Sequence, residues 1–371
     1  DVAGWTLPLQ MGVKVATIAE PFDAPTEPVE SVDTTGGRIE GSTGDADAFY
    51  LTNRSNDDFT VVFALLAAEQ RVERIIGPIT IGDWTLPTDS LRIPATDEAR
   101  RILNEILPGV SSVALALEEP EGFASDIAQA RIALAMPRIG LYKPWVPSMD
   151  EGWTRLVLER FGIPYHTIHN ADITAGDLIE RLDVLVLPSV GSRTLLEGYR
   201  PEQTEPAYVG GLAGEGVESL RRFVESGGRL ICLEDSCSFA IDALGLPVEN
   251  ALSNISSNQF YCPGSILAIR YDHPAEASYL TAGMPGEGSA YFSGSLGFLV
   301  KDQADDRLSV VCRYASGNLL ESGWLLGPEH LQEKAAIVDV MLGDGRVVLF
   351  GFPAQHRGQP HGSFRPLFNA L

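Results

Sequence analysis

The chain has 371 residues, 44% hydrophobic and 21% charged, which is enough for two domains with ordinary cores. With 27 basic against 50 acidic residues its formal net charge is −23, which argues against nucleic acid and anionic membrane surfaces as partners and favours solubility. No apolar run approaches the roughly 18 residues of a membrane-spanning helix.

In chain order, residues 1–47 are rich in Pro, Gly, Thr and acids and read as an extended arm, with one strand at Val13–Ile18. The apolar, Trp-containing start reads as a cut within a longer protein. Residues 48–135 read as a small α/β domain. AFYLT (48–52), RVERI (71–75), SLRIPA (90–95) and SSVALAL (111–117) have strand character. A helix is expected over 56–68 with Phe59, Val62, Phe63 and Leu66 on one face. A second runs from Asp97 to Ile106, capped by Thr96.

From residue 136 the pattern alternates strand and helix. RIGLY (138–142) is followed by a helix over 149–161, opened by a capping box of Ser148 and Glu151 and turning Trp153, Leu156 and Phe161 inward. YHTIH (165–169), a short helix near 175–181 and the unbroken apolar strand DVLVLPS (183–189) come next. A long glycine-rich loop (191–216) precedes a helix over 215–226, which Gly227 and Gly228 end before RLICLE (229–234). This βαβαβαβ order predicts a doubly wound, flavodoxin-like parallel sheet. Residues 264–340 read as an antiparallel β-rich extension, and GRVVLFGF (345–352) as a return to the parallel sheet.

Ligands of open α/β sheets bind beyond the carboxyl ends of the strands. Four loops therefore matter: 143–149, 189–193, 235–238 and 353–361. In the third, a strand runs into Asp235-Ser236-Cys237-Ser238 and then a helix. Strand–nucleophile–helix is the geometry of a nucleophile elbow, with Cys237 or Ser236 as nucleophile and His356 as base. The flanking glycines of such an elbow are missing, and simple capping of the helix by Asp235 or Ser236 is the competing reading. Lys143, Trp145, Asp150, Ser189 and Arg357 would line a ligand pocket at the same edge, suited to a small polar ligand or a peptide chain end.

Metal chemistry has little support. His330 and Glu333 form an H-x-x-E pair without a distant third ligand. His166 and His169, three apart on an expected strand, face opposite sides. The four cysteines form no C-x-x-C pair. No cofactor is expected in this chain, and no glycine-rich nucleotide loop is present.

Several segments, in the same order, resemble the region that follows the peptidase domain in large bacterial zinc carboxypeptidases of the carboxypeptidase A type. They are DVAGWTLPLQMGV (1–13), RIGLYKPWVPSMDEGWTR (138–155), HNADI (169–173), YCPGS (261–265), SGWLLG (322–327) and VVLFGFPAQHRGQPHGSFRPLFNAL (347–371). The resemblance implies an exported protein whose zinc and peptidase residues lie upstream, so that the partner of this chain is the peptidase domain of its own polypeptide. The α/β region is also similar to class I glutamine amidotransferases, which keep a His after the last strand and a Glu two residues beyond it. Here position 358 is Gly, so the resemblance implies a degenerate site. The expected function is a non-catalytic accessory module. The alternative is a cysteine or serine amidase-like hydrolase using Cys237 or Ser236 with His356.

Overall fold

A computed structural model describes residues 7–13, 16, 18, 20–28, 36–41, 44–275, 278–301 and 305–371. The chain divides into two compact units: Lys14–Met136 with Phe161–Ile163, and Asp1–Val13 with Pro137–Arg160 and Pro164–Leu371.

The smaller unit is built on strands β1 (Arg38–Gly41), β2 (Ala48–Leu51), β3 (Glu73–Ile75), β6 (Leu91–Pro94), β7 (Val113–Leu117) and β8 (Arg131–Ala133), with a separate hairpin of β4 (Ile79–Ile81) and β5 (Trp84–Leu86). The sheet order is β1-β7-β2-β6-β3-β8; β1 runs parallel to β7 and the other neighbours are antiparallel. Alternation along β2 gives each face its own core. Phe49 and Leu51 pack with Val61, Val62 and Leu65, whereas Ala48 and Tyr50 pack with Ile81 and Leu86 of the hairpin. Counting the short Leu7–Gln10 turn of the other unit as α1, the helices here are α2 (Asp57–Ala67), α3 (Asp97–Ile106) and the single turn α4 (Phe123–Asp126). The Ala99 amide donates to the Thr96 hydroxyl at 3.0 Å, the expected cap of α3.

Two readings of this region need correction. The arm does not stop short of the small domain, because Arg38–Gly41 joins its sheet as a strand parallel to β7. The α2 core face is Val61, Val62, Phe63 and Leu65, while Phe59 and Leu66 are only partly covered: the sheet lies one position round from the stripe read off the sequence. The strand expected at Val13–Ile18 falls partly outside the described residues.

A charged network lies within this unit. Arg92 is 7% exposed and bonds both oxygens of Glu119, at 2.6 and 2.8 Å, and Glu73 at 2.9 Å. Arg131 also reaches Glu73, at 3.0 Å, and the Tyr50 hydroxyl donates to Glu119. Such a cluster is tolerated in a core only because every charge is answered.

The larger unit holds β9 (Ile139–Tyr142), α5 (Met149–Arg160), β10 (His166–Ile168), α6 (Asn170–Thr174), α7 (Leu178–Arg181), β11 (Val184–Leu187), α8 (Ser192–Glu197), α9 (Ala213–Glu225), β12 (Arg229–Leu233) and α10 (Asp235–Leu244). The antiparallel strands β13 (Val248–Asn250), β14 (Ser265–Tyr271), β15 (Glu287–Phe292), β16 (Phe298–Val300), β17 (Leu308–Tyr314), β18 (Leu320–Ser322) and β19 (Ala335–Leu342) follow, then β20 (Gly345–Phe350) and α11 (His361–Ala370).

Strands β10-β9-β11-β12-β20 are parallel neighbours in that order. Numbered along the chain this is 2-1-3-4-5, the doubly wound flavodoxin-like arrangement. Beyond β20 the sheet continues antiparallel through β19, β17, β14 and β15. The central strands are apolar on both faces because helices cover both. Leu185, Leu187, Leu230 and Leu349 share one core with Leu220, Phe223 and Val224 of α9.

The glycine-rich stretch is not all loop, since α8 forms within it. NLLESGWLLG contributes only the short β18. In α5 the buried positions are Glu151, Thr154, Val157 and Leu158, and Leu156, expected inside, is 51% exposed. The Glu151 amide donates to Ser148 Oγ at 3.2 Å, one half of the expected capping box; the Glu151 carboxylate instead lies 3.6 Å from Arg155.

Candidate functional site

The carboxyl edge of the parallel sheet is assembled by four loops, after β9, β11, β12 and β20. At the end of β12 the chain turns sharply into α10. The residue at the turn is Glu234, with φ 49° and ψ −114°. A non-glycine residue held there costs of order 1–3 kcal/mol and persists only where its surroundings fix it. They do: the Glu234 amide donates to the Phe350 carbonyl of β20 at 2.8 Å, and the Cys237 amide donates to the Glu234 carbonyl at 2.8 Å. A strained residue between a central parallel strand and a helix is the elbow conformation that presents a nucleophile in α/β hydrolases. Here it presents a carboxyl.

The elbow therefore lies two and three residues before the serine and cysteine expected to occupy it. Cys237, the third residue of α10, faces the core and is fully buried. Its thiol donates to the carbonyls of Cys232 (3.2 Å) and Phe350 (3.3 Å). Burial pushes its acidity well above the ordinary thiol value, and the neighbouring Cys232 adds to this. Ser236 is equally buried. Its hydroxyl donates to the Pro188 carbonyl and accepts from the Val190 amide at 3.1 Å, so it ties the exit of β11 to α10. Neither group opens to a ligand. The capping alternative fails as well, since no side chain of Glu234, Asp235 or Ser236 caps α10.

Glu234 is the centre of a polar group. Ser295, just beyond β15, donates to Glu234 Oε1 at 2.7 Å, and Ser189 also bonds the carboxyl. Ser189 Oγ in turn accepts the Asp235 amide at 3.3 Å. The Glu234 carboxyl is pushed up to about 7, chiefly by burial; the Ser295 bond opposes this, and the charges of Asp150 and Asp235 add to it. Asp150, in the first turn of α5, is pushed up to about 6 by burial and then by Asp235. Its buried Oδ1 has no hydrogen-bond partner among the described residues. Asp235 is raised too, by desolvation. Of the expected pocket residues, Ser189 and Asp150 thus meet at the elbow.

The other expected residues have contacts of their own. His356 is clamped between aromatic rings, stacked on Tyr291 (centroids 4.0 Å apart, 19° between planes) and set edge-on to Trp153 at 4.8 Å. Burial, and then the charge of Arg357, push it down to about 4, so it is neutral at ordinary pH. Arg357 is exposed, with φ 53°. Lys143 and Trp145 belong to a separate cleft of about 310 Å³, lined also by Pro144, Pro147, Ser148 and Glu151.

Among the described residues no three His, Cys, Asp or Glu side chains come together to hold a metal ion, and no helix is long and apolar enough to cross a membrane. All four cysteines are free and buried. His330 approaches Glu329, at 4.0 Å, rather than Glu333. His169 lies just past β10 instead of on it.

In the sequence Glu234 reads as the last residue of the strand RLICLE rather than as the elbow residue. The signal was present: the apolar run Leu230–Leu233 stops there, and an acid directly after a buried strand marks the turn. His169, which stacks on Trp145, carried no comparable signal.

No protein-family model and no curated protein matches the chain. Among solved structures it is similar to a ThuA-like protein from Bacteroides uniformis (9% identity, 62% of this chain and 89% of that one, TM-score 0.37). It is also similar to a GMP synthase component from Thermoplasma acidophilum (12%, 64% and 94%, TM-score 0.39). A cytoplasmic protein from Salmonella typhimurium is a third (15%, 63% and 97%, TM-score 0.39). The architecture itself rests on the strand order, 2-1-3-4-5 with an elbow after the fourth strand, which is the doubly wound flavodoxin-like plan.

Proposed function

We propose that this chain is a non-hydrolytic accessory module on the glutamine amidotransferase-like plan, forming the C-terminal region of an exported zinc carboxypeptidase-like polypeptide and serving the peptidase domain upstream. The first part rests on one observation: Glu234 occupies the elbow, while Cys237 and Ser236 are sealed in the core. A thiol that is buried, bonded to two carbonyls and depleted of thiolate cannot attack an amide. His356, clamped by Tyr291 and Trp153, has no carboxylate two residues on, where Gly358 stands. A carboxyl at the elbow accepts hydrogen bonds and holds a proton, which suits binding more than acyl transfer. The parentage is supported by the six ordered sequence segments alone.

The test of the first part is incubation with glutamine and with the thiol-directed analogue 6-diazo-5-oxo-L-norleucine. No ammonia and no adduct on Cys237 are expected. Ammonia release lost in Cys237→Ala would overturn the reading. The parentage is tested by the reading frame upstream of Asp1. It should encode a His/Glu/His zinc set, and a frame without one removes the carboxypeptidase assignment.

A further inference from the structure

The cleft after β9 carries chemistry that the elbow does not use. Trp145 is 36% exposed and held rigidly. One ring face stacks on His169 at 3.9 Å with planes 5° apart, and Tyr208, itself 41% exposed, meets it edge-on at 4.7 Å. His169 is fixed in turn. Its Nδ1 lies 2.8 Å from the Lys143 carbonyl, and its amide donates to Asp172 at 2.9 Å. The indole is thus a preorganised plate rather than a mobile surface side chain, and binding on it costs little ordering entropy.

Lys143 lines the same cleft and forms no ion pair with a described residue. The nearest acid of the lining, Glu151, does not neutralise it: it is 5% exposed and turned to Arg155. Ser148 adds a hydroxyl whose oxygen already accepts the Glu151 amide, which leaves its proton to donate. In a chain of net charge −23, a lysine with no ion pair to a described residue, lining the same cleft as a fixed aromatic plate, is the group there that would select an anion.

We propose that the Lys143–Trp145 cleft is a binding site for a small aryl carboxylate, with the ring stacked on Trp145 and the carboxylate on the Lys143 ammonium and the Ser148 hydroxyl. The volume of about 310 Å³ suits a single ring with a short acid arm. Offset stacking supplies the affinity of the ring, and the ammonium selects the anion. The site stands independently of the accessory-module reading, because none of its residues belongs to the elbow.

The opposite preference is also physical. The protein's overall negative charge and the face of an indole both attract an organic cation. The experiment therefore compares three probes of one shape: phenylacetate, phenylacetamide and phenethylamine. Each is titrated into the whole chain and followed by saturation-transfer NMR and tryptophan fluorescence. Phenylacetate is expected to bind most tightly. Lys143→Gln should weaken it by roughly ten-fold or more and leave phenylacetamide unchanged. Trp145→Ala should abolish binding of both, and Trp145→Phe should keep phenylacetate within about three-fold of the parent. Near-ultraviolet circular dichroism confirms the fold of each variant. Tighter binding of phenethylamine, indifference of phenylacetate to Lys143→Gln, or no binding of any probe to about 10 mM would each overturn the proposal.

Discussion

The sharpest consequence of the elbow concerns Glu234→Gln. A carboxyl moved from 4.5 to about 7 binds its proton more tightly in the folded state than in the unfolded chain. Between those two values the folded state holds more protons, so stability falls as pH rises through the window and stays low above it. At about 1.4 kcal/mol for each ten-fold change in acidity, the full cost is about 3 kcal/mol. Glutamine has nearly the same shape, keeps an oxygen to accept the Ser295 hydroxyl, and never ionises. Its expected effect is therefore pH-dependent. Near pH 4 the variant should match the parent; near pH 8 it should be more stable, by about 1–3 kcal/mol once relaxation around the charged form is allowed for. Urea unfolding at the two pH values, read by circular dichroism, measures this. A variant equally displaced at both values, or less stable near pH 8, would show that Glu234 is not held in a desolvated, acid-flanked elbow.

Further outcomes follow from the same geometry. The four buried cysteines should be unreactive to Ellman's reagent in the folded chain and all react in urea; a fast-reacting thiol at Cys237 in the native protein would contradict the sealed elbow. His356, pushed down to about 4, should show an NMR titration midpoint well below the exposed value near 6.5, so folding loses stability as pH falls from about 6.5 to about 4; a midpoint near 6.5 would remove the aromatic clamp. Arg92→Met in the smaller unit leaves Glu73 and Glu119 without their shared cation and should cost about 3–5 kcal/mol in urea unfolding, whereas a neutral result would mean that water already reaches the cluster.

The regular part of this fold is written locally. Val184–Leu187, Leu230–Leu233 and Val347–Phe350 are unbroken apolar runs of strand length, and only a sheet covered on both faces needs such runs. Thr96 before an acidic first turn announces α3 by the same local logic. These features depend on neighbours a few residues away, so the doubly wound class, the antiparallel extension and the edge where the loops gather were legible from the chain.

The identity of the site residues was not. Whether Glu234, Ser236 or Cys237 occupies the elbow depends on where β12 makes its last bond to β20, more than a hundred residues later, through the Phe350 carbonyl. That one pairing sets Glu234 at the turn, and the helical period then swings Cys237 inward. The residues that complete the group have the same origin. Ser295 comes to Glu234 from the antiparallel extension, and His169 comes under Trp145 from the turn that follows β10. Sequence alone determined which segments are strands and which edge they present. Only the tertiary structure decided which side chains meet there, because those meetings are set by register between distant strands, which no short pattern records.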